Sequence, residues 1–172
     1  MAHRNTPTRD RLLQIAASLF GSHGWEATTL DDILSAAGIT KGAFYHYFPG
    51  KQALCEAAID QAVSEIGLLL QSMDRRQSGR EQLGQLLARL EELNRSGQWT
   101  RFRLLVRLSA DSCESYPAIH ARLRKFWKEF LQEIQSLYSP EDTKDANDSP
   151  MGILHRLAGS IVLERYIPGG LP

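Results

Sequence analysis

Apolar residues recur at helical spacing along nearly the whole chain. In "TPTRDRLLQIAASLFGSHG", Leu12, Leu13, Ile15, Ala16, Leu19 and Phe20 share one face of a 3.6-residue period, which predicts an amphipathic helix. Thr6 or Thr8 suits its N-cap, Pro7 its first turn, and Gly21 or Gly24 its end. The next segment, "TTLDDILSAAG", opens with Thr29 and places Asp32 three residues on, an acidic form of the capping box. Asp31 and Asp32 also sit at the positive end of that helix. Gly38 supplies the left-handed residue that stops it, and Ile39 plugs the turn. Thr40 then caps a third, short helix that Pro49-Gly50 ends, and Lys51 opens a long helix running to about Gln71. Further helices are predicted over 80–96, 99–113 and 117–138. The polar, proline-bounded segment 139–150 reads as a flexible loop, and a last apolar helix covers about 151–166. No useful β-alternation or internal repeat interrupts this pattern, so the fold class is all-α.

One stretch breaks the amphipathic rule. "GITKGAFYHYFPGK", residues 38 to 51, crowds four aromatic rings and a histidine into consecutive positions. Consecutive side chains point all round a helix, so one core cannot take them all. Phe44 and Phe48, spaced i, i+4, share a face and can anchor the helix on Leu13, Phe20, Ile33 and Leu34. Gly42, Ala43 and His46 then face outward, with Tyr45 and Tyr47 on the flanks. Two short helices joined by a tight Ala-Ala-Gly-Ile turn and packed on a preceding helix make a helix-turn-helix, whose second helix enters the DNA major groove. An aromatic core stripe is the alternative reading of the same rings.

Charge neither helps nor forbids this. The 172 residues carry 20 Lys+Arg against 20 Asp+Glu, so no bulk basic footprint marks a nucleic-acid binder. A DNA surface must therefore rest on where particular residues sit. The longest apolar run is far short of a membrane span, and the N-terminus lacks the apolar stretch of a secretory signal. Cys55 and Cys113 stand far apart in no metal-like spacing, which suits a reducing, cytoplasmic setting without disulfides, metal or cofactor.

The order of these pieces carries a resemblance. Ala16-x-x-Leu19-Phe20, Gly24-Trp25, Thr28-Thr29, Ala37-Gly38-Ile39, Lys41-Gly42-x-Phe44-Tyr45-x-Tyr47-Phe48 and Lys51-x-x-Leu54 together resemble the N-terminal domain of the TetR family of bacterial transcriptional regulators. That resemblance implies a DNA-binding domain over 1–52 and a helical regulatory and dimerisation domain over 53–172. It implies a homodimer that binds palindromic double-stranded operator DNA, represses transcription, and is released by a small-molecule effector. By matched position, Thr29, Lys41, Gly42, Ala43, Tyr45, His46, Tyr47 and Lys51 fall where family members touch DNA. Base-edge roles fall to Lys41 and His46; Thr29, Tyr45, Tyr47 and Lys51 look like phosphate contacts. Asp31 departs from relatives that carry a base-reading basic residue nearby, so the second helix is expected to add little direct readout.

The C-terminal half is less specific. Residues 106–119, "VRLSADSCESYPAI", are similar to a segment of the N-ethylmaleimide-repressor-like branch, where a reactive cysteine lies upstream of the shared Leu-Ser-Ala; here that position is Arg103. Cys113 matches a second cysteine there. It reads either as a redox-active thiol near Arg101, Arg103 and Arg107 or as an inert core residue. Trp99, Phe102, Arg103, Val106, Trp127 and Phe130 are the residues expected to line an effector pocket, unless the aromatic stripe is plain core. If Arg103 is buried it needs an acidic partner or an anionic ligand. Relatives usually dimerise through two long final helices, and here only "YIPGGLP" follows the last apolar one. The alternative function is therefore a TetR-like partner protein with weak or no autonomous DNA binding. Catalysis is not expected: Ser109, Asp111, Cys113 and His120 cluster in sequence, but Pro117 interrupts them and no nucleophile–base pair emerges.

Overall fold

The computed structural model describes residues 7–95, 100–111 and 116–137, with residues 152, 155 and 159. Among the described residues it is all-α: α1 (Pro7–His23), α2 (Leu30–Ala37), α3 (Lys41–Tyr45), α4 (Lys51–Gln71), α5 (Gly79–Arg95), α6 (Thr100–Ala110) and α7 (Pro117–Ser136). Trp99, Cys113, the 139–150 segment and nearly all of the expected helix over 151–166 lie outside the described residues. No helix among those described is long and apolar enough to cross a membrane.

The chain forms two compact units, Met1–Glu65 with Thr100–Leu123 and Ile66–Trp99 with Arg124–Pro172. In the first, Leu12, Phe20, Ile33, Phe44, Leu54, Ile59, Phe102 and Leu105 are buried together as core. Here α1 packs chiefly on α6. A Cβ on Gly21 would stand 3.3 Å from the Leu104 nitrogen and 3.4 Å from the Thr100 oxygen, so glycine lets the two backbones close up. The end of α1 is set instead by Gly24, at φ +88°, whose N–H donates to Phe20 O at 2.9 Å. Charged pairs fasten the outer face of α4. Arg122 reaches Glu56 at 3.1 Å and Asp60 at 3.2 Å, and Arg101 reaches Glu65 at 2.8 Å.

In the second unit, Leu86 and Leu90 of α5 are buried, as are Phe126, Phe130 and Ile134 of α7. Phe126 stacks on Phe130 with centroids 5.4 Å apart. A second capping box opens α5. Ser78 N–H donates to Glu81 Oε2 at 2.9 Å, and Glu81 N–H donates back to Ser78 Oγ at 3.3 Å. The Ser78 hydroxyl and N–H hold the Glu81 carboxyl below its ordinary value of 4.5. The Ser-x-x-Glu box starts this helix at Gly79, one residue before the start that periodicity predicts.

Candidate nucleic-acid interface

The geometry of residues 24–51 begins with the caps. Both donors of Thr29 go to one acceptor: its N–H meets Asp32 Oδ2 at 2.8 Å and its hydroxyl at 2.6 Å, while Asp32 N–H returns to Thr29 Oγ1 at 3.1 Å. The Thr29 hydroxyl first, and its N–H second, hold the Asp32 carboxyl below its ordinary value of 3.8. At the other end of α2, Gly38 takes φ +60° and Ile39 N–H donates to Leu34 O at 3.2 Å, which reverses the chain. Thr40 is extended, and its hydroxyl oxygen accepts from Ala43 N–H at 3.2 Å to start α3.

The crowded aromatics divide between inside and outside. Phe44 and Phe48 are buried, with centroids 6.1 Å apart, and the Arg9 guanidinium stands 5.3 Å over Phe48. Tyr45 is 49% exposed with its ring edge-on to Phe44, and Lys41, Gly42 and His46 are exposed. Ala43 and Tyr47 are half-buried. A Cβ on Gly42 would meet only Thr40 Oγ1 at 4.0 Å, so nothing inside the fold requires glycine there. Asp31 is exposed on the first turn of α2.

Lys51 lies differently from its expected phosphate-facing position. Its ammonium donates to Trp25 O at 2.9 Å and to Thr28 O at 2.8 Å, and lies 4.0 Å from the centroid of the Trp25 ring. Burial pushes its pKa down, with Glu26 and then Cys55 pushing the other way. Trp25 itself is buried against Phe20 and Tyr116, and its backbone N–H donates to Asp111 Oδ2 at 2.7 Å. In the sequence Trp25 stands only as part of the Gly24-Trp25 motif and Asp111 only in a cluster set aside as non-catalytic. Their pairing spans 86 positions and leaves no local signature.

Of the expected effector residues, Phe102 and Val106 are buried in the first unit, where Arg103 is half-buried. Phe130 is buried in the second, with half-buried Trp127 edge-on to it at 6.1 Å. Cys55 is fully buried.

Comparison with known proteins agrees with this geometry. Residues 12–58 match the family model "Bacterial regulatory proteins, tetR family". The HTH-type transcriptional repressor KstR2 of Mycolicibacterium smegmatis is 32% identical over 131 residues, covering 73% of this chain. The chain spans 63% of that relative's length. Two solved structures share the fold. A TetR-family transcriptional regulator from Agrobacterium tumefaciens superposes with a TM-score of 0.79 at 18% identity, over 95% of this chain and 89% of its own. Reduced NemR of E. coli gives 0.65 at 21% identity, over 93% and 86%. Residues 12–58, with their matched helix-turn-helix, are thus a DNA-binding domain of the kind found in the tetR family of bacterial regulatory proteins.

Proposed function

We propose that this chain is a cytoplasmic, DNA-binding transcriptional regulator, not an enzyme, that represses as a homodimer on a palindromic operator and is released by a small-molecule effector. One observation carries the reading: α3 is fixed by the buried ring of Phe44, with that of Phe48 just beyond its end, while Lys41, Gly42, Tyr45 and His46 are left exposed. Repression is supported by the similar repressor KstR2. In this reading Lys41 and His46 meet base edges, the hydroxyls of Tyr45 and Tyr47 meet phosphates, and Gly42 and Ala43 let the helix come close. Thr29 serves by holding α2, since both its donors go to Asp32. On α6, Phe102, Arg103 and Val106 are the residues assigned to the effector.

The test is selection of bound duplexes from a random pool, followed by titration of the winner across salt concentrations. A palindrome with half-sites about 34–36 Å apart should be enriched. It should bind far more tightly than random duplex and with steep salt dependence. Binding that stays at the random-duplex level, with nothing enriched, would defeat the reading in favour of a partner protein without autonomous DNA binding.

A further inference from the structure

We propose that Lys51 is a positioning residue, which clamps the loop between α1 and α2 in the shape that DNA reading requires, and is not a phosphate contact. The proposal rests on the DNA-binding reading above. Two carbonyls, of Trp25 at 2.9 Å and Thr28 at 2.8 Å, and an indole face centred 4.0 Å away offer three acceptors to an ammonium with three N–H bonds. A phosphate could engage Lys51 only by displacing one of them.

Other bonds hold both ends of the loop. The Trp25 backbone N–H is taken by Asp111, the Thr28 hydroxyl donates to Gly24 O at 2.7 Å, and Arg107 Nη2 donates to His23 O at 3.4 Å. A side chain at Gly24 would collide with the Asp111 carboxylate. Thr29, the next residue, caps α2, and α2 leads through Gly38 into α3. The Lys51 ammonium at the start of α4 thus fixes where α2 begins, and through α2 the tilt of α3.

Three proteins separate the two roles: wild type, Lys51→Met and Lys51→Arg. Each is titrated across salt with the duplex selected by the wild type, and amide exchange is followed in the DNA-free protein. Lys51→Met should bind about tenfold or more weakly with an unchanged slope of log K against log salt, since no phosphate contact is lost. Amides of residues 24–30 should exchange about tenfold faster while those of α5 keep their rates, the mark of a local opening. Lys51→Arg keeps the charge but should also bind more weakly, because a planar fork does not reproduce the ammonium's donors. A slope reduced by about 0.9, with wild-type exchange and Lys51→Arg binding normally, would make Lys51 a phosphate contact and overturn the proposal. Should Lys51→Met fail to fold, the Lys51→Arg arm decides alone. A wild type that selects no duplex defeats the DNA-binding reading and the positioning role with it. In that case exchange still reports whether Lys51 holds the loop.

Discussion

Asp32 shows how much a single side chain can organise. One of its oxygens accepts both the N–H and the hydroxyl of Thr29, while its own N–H closes the box from the other side. Folding therefore favours the ionised carboxylate, and the folded-state pKa lies below the ordinary 3.8. The stability this contributes is fully present above that value and is lost as pH falls through the lower, folded one. Asp32→Asn should lower the thermal midpoint at neutral pH and flatten the acid limb of the stability curve, so that the two proteins converge in strong acid. Curves that stay parallel down to about pH 2 would mean that the carboxylate's charge is not what the box uses. Glu81 contributes a similar acid dependence in the second unit and is unaffected by that substitution.

Among the elements, α3 is where the proposed DNA reading separates most cleanly from folding. Its anchor Phe44 is buried, as is Phe48 just beyond its end, whereas Gly42 has room for a Cβ. Gly42→Ala should leave stability unchanged or raise it by up to about 1 kcal/mol, because a helical glycine loses more backbone entropy on folding than alanine. Binding to the selected duplex should nonetheless fall, if that glycine serves the approach of DNA. Thermal unfolding and titration of one variant measure both effects, and undiminished binding would remove Gly42 from the interface. The caps that frame α2 and α3 were legible in the sequence because Thr29–Asp32, Gly38 and Thr40–Ala43 each act within a few residues. Gly21 and Gly24 were not distinguishable in the same way. Both suit a helix end, and only the closeness of α6 shows that Gly21 lies inside α1 while Gly24 ends it.

At the scale of the whole molecule, zero net charge puts the weight on local pairing. Arg101 and Arg122 each join α4 to a helix from the far end of the first unit's sequence. Replacing either with alanine should lower unfolding stability by up to about 1 kcal/mol, the usual range for partly exposed ion pairs. The deficit should shrink near 1 M salt, where the screening length is about 3 Å. Denaturant unfolding at low and high salt checks this, and a deficit indifferent to salt would point to packing by the arginine stems. Such pairings escaped the sequence, as did Trp25 with Asp111. Periodicity reports which face of a helix is buried and not which distant side chain meets it. The inward turn of Lys51 was hidden for the same reason: a lysine at a helix start fits a phosphate or a neighbouring carbonyl equally well.

Anchoring α3 through two rings has a consequence for how such a protein can diverge. Positions 41, 42, 45 and 46 answer to the outside of the molecule and scarcely to its core. A copy of this chain could exchange them, one at a time, without passing through an unstable intermediate. On the DNA-binding reading proposed above, the sequence it recognises could drift while its architecture stood still.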